Sequence, residues 1–119
     1  DELKMLISQV GKKNINKIWI GPQQSHPKCS WTEYSPIDNC AYLKYFMESL
    51  KMENVDFGVG TSRASWPTVF GGVEMCPEVS SAPLWWFPVG DENDGIPSFD
   101  KYHQIGGWKA PYMKAYNTF

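Results

Sequence analysis

Apolar residues recur along this chain in two kinds of pattern, helical stripes and short unbroken runs. Leu3, Leu6, Ile7 and Val10 fall at three- and four-residue steps, which predicts an amphipathic helix, and Gly11 is a fitting stop. Ile15 to Ile20 is a short apolar run that predicts a buried strand. Gly21 to Tyr34 follows as a loop with two prolines, too long for a plain connector. Ser35-Pro36 opens the next helix, with a Ser cap, Pro in the first turn and Asp38 near the positive end of the dipole. Leu43, Phe46, Met47 and Leu50 form its apolar face. Val55 to Gly60 predicts a second strand. Ser62 or Ser65 starts a short third helix that tolerates Pro67 in its first turn and ends at Gly71-Gly72. Pro83 to Phe87 predicts a third strand, Asp91 to Gly95 a polar turn, and Tyr112 to Tyr116 a fourth strand.

This order alternates helix and strand with short connections, so the expected class is α/β with mostly parallel strands and right-handed crossovers. About four strands and three helices make either an open sheet or part of a larger barrel, because a partial barrel leaves strand edges free. With 119 residues the chain holds one small domain. A net charge of −2 and scattered Lys and Arg residues argue against a nucleic-acid partner. No apolar run approaches the ~20 residues of a membrane helix. The chain opens on Asp1-Glu2-Leu3 inside a helical pattern, which points to a processed or truncated start.

The exit of the first strand, Gly21-Pro22-Gln23-Gln24, bears most on function. In β/α proteins the residues just past a strand's C-terminal end face the site of chemistry. A glycine, a proline and two amides cannot exchange a proton near neutral pH. Of the three cysteines, Cys29 and Cys40 bracket a turn-rich loop, and a disulfide between them is expected in an oxidising compartment; in a reducing cell both remain thiols. Cys76 is then left over, free or paired elsewhere. No spacing suits zinc, and no metal or other cofactor is expected. His26 and His103 read as surface residues, and Asp91, Glu92 and Asp94 as a solvated turn without the spacing of a calcium loop. Trp19, Trp85, Trp86 and Trp108 read first as core, with a sugar-stacking platform as the functional alternative. Strand alternation points Trp85 and Trp86 to opposite faces, so at most one lines a pocket, with Trp86 the readier candidate.

Four segments occur in a telling order: Ile18-Trp19-Ile20, Phe57-Gly58-Val59-Gly60-Thr61-Ser62, Pro83-Leu84-Trp85-Trp86, and Phe99 through Gly106-Gly107-Trp108-Lys109-Ala110-Pro111-Tyr112-Met113-Lys114. Together they resemble the glycoside hydrolase family 25 lysozymes, in the branch found in protists and nematodes. That family reads Ile-Trp-Leu-Asp-Ile-Glu, Val-Gly-Val-Tyr-Thr-Ser, Pro-Leu-Trp-Tyr-Ala-His-Tyr-Asp and Phe-Gly-Gly-Trp-x-x-Pro-x-x-Lys-Gln-Tyr. The resemblance implies an irregular, TIM-like β/α barrel that cuts bacterial peptidoglycan. It implies that residues 1–119 form a single domain of it, incomplete at both ends, and a secreted, vacuolar or lysosomal location.

The resemblance also implies that the catalytic position is empty. The family's Asp-x-Glu pair falls on Gly21 and Gln23, whereas glycoside hydrolysis usually needs two acidic groups. The family's strand-end tyrosine falls on Gly60, its Tyr-Ala-His-Tyr-Asp on Trp86-Phe87-Pro88-Val89-Gly90, and its Gln on Ala115. The expectation is therefore a catalytically degenerate lysozyme-like protein with a binding or structural role. Gln23, Trp86 and Gly60 would retain weak glycan contact, and other protein chains would cover exposed sheet edges. The alternatives are a hydrolase whose acids lie on other sequence or in the Gly21–Tyr34 loop, with Glu33 or Asp38 as carboxylate, and a small open α/β domain of separate role.

Overall fold

The computed structural model describes residues 17–22 and 31–116. The helix expected over Leu3 to Val10, the position of Gln23 and that of Cys29 lie outside these residues. Within them the chain runs β1 (Lys17–Ile20), a 3-10 turn (Trp31–Glu33), α1 (Pro36–Met52), β2 (Asp56–Thr61) and α2 (Ser65–Phe70). A 3-10 helix (Pro77–Ser81), β3 (Leu84–Trp86), a second short 3-10 turn (Gly90–Glu92) and β4 (Met113–Lys114) follow. The four strands form one sheet in the order β1-β2-β3-β4, and every pairing is parallel, as alternation predicts. Sequence reading missed the 3-10 helix over 77–81, because Pro-Glu-Val-Ser-Ser carries no helical stripe.

Capping follows the sequence. Ser35 sits in extended backbone and its Oγ accepts from the Asp38 N–H at 3.1 Å, while Pro36 occupies the first turn. α1 buries Leu43, Met47 and Leu50 on one face, along with Asn39. That asparagine carries its polarity inward at no loss. Its Nδ2 donates to Trp31 O at 2.8 Å and to Val69 O at 2.9 Å, tying the first 3-10 turn, α1 and α2 together.

Register divides the sheet into two faces. Val59 lies beside Ile20 and Leu84, and Thr61 beside Trp86, so these share the helix-facing side. Phe57, Val59, Leu84 and Trp86 join Leu43, Met47 and Leu50 of α1 in the core, with Trp66, Val69 and Phe70 of α2. The opposite side carries Trp19 beside Gly58, and Gly60 beside Trp85. Alternation thus separates the two adjacent tryptophans as expected, but Trp86 is the core residue, with no exposed surface. Trp86 as a glycan contact is corrected on this ground: its inward register position places it among the helices.

The cysteine pairing is corrected as well. Cys40 bonds to Cys76, across a sequence separation of 36 residues and a Cα–Cα distance of 5.7 Å. The segment that leaves α2 returns beside α1, where Glu78 also meets Lys44 at 3.2 Å. Proximity in sequence suggested Cys29 as partner; the return of the crossover brings Cys76 to Cys40 instead.

A candidate binding cleft at the strand ends

The C-terminal ends of β1, β2 and β3 open into a cleft of about 420 Å³, lined by Trp19, Ile20, Gly21, Pro22, Gly60, Thr61, Ser62, Ser65, Trp85 and Phe87. Its shape comes from glycine. A Cβ on Gly58 would stand 2.4 Å from the Trp19 ring, and one on Gly60 would stand 3.1 Å from Phe87. At Gly58 only hydrogen lets the Trp19 ring lie over β2, and at Gly60 a methyl would press on Phe87 and push it by a few tenths of an ångström. Trp19 meets Trp85 edge-on at 5.8 Å, and Trp85 lies beside Phe87 at 4.8 Å with their planes 36° apart. Lys17 Nζ stands 5.0 Å from the Trp19 ring and 5.1 Å from that of Tyr112, within cation–π range, and does not line the cleft.

The polar rim is neutral. Ser62 Oγ accepts from the Ser65 N–H at 3.0 Å, which leaves the Ser62 hydroxyl proton free to donate. Among the described residues that line the cleft, none is ionisable. Gly21 and Gly60 both line the cleft. Glu33 and Asp38 are exposed and do not line the cleft, and Trp86 lies behind it. Trp85, Trp19 and Phe87 are what sequence reading underweighted. Their signal is present in the pattern: two glycines two residues apart share one strand face, and large aromatics occupy the paired positions on both neighbours.

The acidic turn after β3 holds a cation of the chain's own. Lys114 is almost fully buried and donates to Asp94 Oδ1 at 2.7 Å, Ile96 O at 2.8 Å and Ser98 O at 2.7 Å. Its ammonium also stands 5.2 Å from the Trp86 ring. All three protons are used, so the turn is closed by an ammonium. No cluster with metal-binding composition occurs among the described residues. His103 is exposed and 3.9 Å from Glu92, a surface position.

The hydrogen bond from Lys114, followed by that from the Ile96 N–H, holds the Asp94 carboxyl below its ordinary range; Lys101 acts in the same direction. A carboxyl lowered in the fold contributes stability that is present above its unfolded pKa, ~4, and lost as pH falls through the folded value. Urea unfolding should therefore show stability constant near neutrality and falling below about pH 4. Asp94→Asn should shallow that fall. It should not abolish it, because Glu78 is lowered too, by a backbone hydrogen bond and by Lys44.

Sequence comparison places these features among known proteins. A family model described as lysozyme-like protein 1 matches residues 2–116. The chain is 29% identical over 117 residues to probable GH family 25 lysozyme 3 of Dictyostelium discoideum, covering 98% of the chain and 22% of that protein. It is 33% identical over 104 residues to probable GH family 25 lysozyme 4 of the same organism, covering 87% and 43%. Counting factor 45-1, also from D. discoideum, is 25% identical over 118 residues, covering 96% and 36%. The chain thus spans less than half the length of each of these relatives. No solved structure matches it.

Proposed function

Because the chain belongs to the lysozyme-like protein 1 family and is similar to glycoside hydrolase family 25 lysozymes, we propose that it is a non-hydrolytic form of that scaffold, whose strand-end cleft binds rather than cuts. The observation that carries this reading is the lining of the cleft. Gly21, at the position of a family acid, offers only backbone there, and no carboxylate joins it among the described residues. Gln23, the other family position, keeps the hydrogen-bonding shape of glutamate without its proton. General acid–base catalysis is typically worth ~10²–10⁴-fold in rate, so its loss removes useful turnover.

Two further observations agree with the reading. One relative carries the name counting factor rather than that of a hydrolase. Among the described residues β1 and β4 each present one edge without a strand partner, which suits coverage by another chain. The Cys40–Cys76 bridge favours an oxidising compartment, in line with a secreted or lysosomal location. No helix among the described residues is long and apolar enough to cross a membrane.

The test is the release of new reducing ends from purified peptidoglycan. The expected result is none above buffer. Hydrolysis that disappears in Glu33→Gln or Asp38→Asn would overturn the reading in favour of an active lysozyme using those carboxylates. That second reading draws its support from the names of the two lysozyme relatives.

A further inference from the structure

We propose that two copies of this chain pair through the outer faces of their α1 helices, antiparallel about a two-fold axis near Tyr45. The surface lies away from the cleft and does not depend on it. α1 turns Leu43, Met47 and Leu50 into the core, yet its opposite side is apolar as well. Ile37, Ala41, Tyr45 and Met52 follow one another at steps of four, four and seven residues, so they lie on one stripe of the helix. All four are exposed, Ile37 to 80%, Tyr45 to 64% and Met52 to 82%. A surface helix ordinarily keeps its solvent side polar, and one that is apolar on both sides is covered on both. Contiguous apolar surface of this kind marks a contact with another chain.

The charged residues of the stripe select a second copy as its cover. Lys44 and Glu48 fall on the same edge of it, at the 3.6-residue period of the helix. When two antiparallel copies face each other across a two-fold axis, like edges meet and the contact must complement itself. Here it does. Ile37 of one copy comes opposite Met52 of the other, Tyr45 opposite its own counterpart, and Glu48 opposite the small Ala41, which leaves room for it. In that register Lys44 of each copy stands within a helical turn of Glu48 of the other, so two opposite-charge pairs form symmetrically. The helix dipoles also run against each other. A parallel pairing would instead set Glu48 against Glu48. Within one chain the same two residues make only exposed pairs, Lys44 with Glu78 at 3.2 Å and Glu48 with Lys51 at 3.6 Å, which hold them weakly. One helix pair buries less than the ~800 Å² per partner of a standard interface, so the dimer is a weak, reversible one.

The test is sedimentation velocity of the full chain over a concentration series from micromolar to millimolar, with non-reducing denaturing electrophoresis to show that any dimer is non-covalent. The expected result is a reversible monomer–dimer equilibrium. Ile37→Glu places a charge in the seam at a position that is exposed in the monomer, and should weaken the dimer at least about tenfold with an unchanged circular dichroism spectrum. Lys44→Glu and Glu48→Lys should each weaken it about tenfold, and the double variant should restore it. Loss of the Lys44–Glu78 pair alone cannot produce that rescue. A dimer that Ile37→Glu leaves intact, charge variants without rescue, or a disulfide-linked dimer would each overturn the proposal. So would a monomer at every concentration, and thermal unfolding of Ile37→Glu then identifies the cover: a lowered Tm assigns the stripe to residues 1–16 of the same chain, an unchanged Tm to a different protein.

Discussion

Replacing Cys40 by Ser should lower the stability of this chain by roughly 4 kcal/mol, the chain-entropy value for a bridge that closes a loop of this length. In a domain of this size that is a fall in Tm of more than about 10 °C. Dithiothreitol should have the same effect on the unaltered chain. The reason lies in what the bridge spans. The segment from Gly71 to Ala82 contains only a 3-10 helix, Pro77–Ser81, and it links α2 to β3. Apart from the bridge, it is held by Val79, which is buried in the core, by single hydrogen bonds such as Trp66 Nε1 to Met75 O at 2.8 Å, and by the surface pair of Lys44 and Glu78. Exposed pairs of that kind are worth little. Cys76 also sits in left-handed backbone, at φ 57°, which a side chain resists by ~1–2 kcal/mol. Cys76→Gly should therefore cost less than Cys40→Ser, although both lose the same bond. Cys29→Ser is the control. If it destabilises as much as Cys40→Ser, the partner of Cys40 is Cys29 after all.

The second large effect is expected at Trp108. Trp108→Ala should cost ~3–5 kcal/mol, the usual loss for a large aromatic removed from a core. Its ring is almost fully buried and meets Trp66 edge-on at 5.2 Å. Its Nε1 donates to Ala82 O at 2.6 Å, so the residue joins the loop before β3 to the one before β4. Trp108→Phe keeps most of the packing and leaves that carbonyl without its donor, a loss of about 1–3 kcal/mol. Thermal or urea unfolding of the two variants separates packing from the hydrogen bond. If both cost the same, the ring adds nothing beyond its N–H, and the assignment fails. The preceding glycines serve the same joint. Gly106 has φ 53°, and a Cβ on Gly107 would stand 2.6 Å from Pro77 O. The Gly-Gly-Trp segment that carries the family resemblance is thus an architectural joint rather than part of the cleft.

Much of the fold could be read from the chain because its signals were local. Ser35-Pro36 and the stripe from Leu43 to Leu50 mark α1, and short apolar runs mark the strands, whose parallel order follows from alternation. What escaped depends on contacts distant in sequence. Cys76 reaches Cys40 only after the chain has passed through β2 and α2. Strand alternation correctly separated Trp85 from Trp86, but which face meets the helices is decided by register with Val59 and Thr61, and that is a property of the assembled sheet. At the site, Gly21 and Gly60 were identifiable as missing side chains because a family pattern supplied the comparison. The aromatic surface was harder to see, since tryptophan in a strand is ordinarily core.

Gly58 and Trp19 meet across the β1–β2 pair so closely that residue 58 cannot gain a side chain while the indole stays in place. A larger residue at 58 requires a smaller one at 19, and a chain that kept the indole while gaining a methyl would have to displace the ring that walls the cleft. Among relatives, a larger residue at position 58 should therefore come with a smaller one at position 19. The route back toward an acid-bearing strand end begins at Gly21, one residue beyond a strand whose cleft-side position is already committed to this pair.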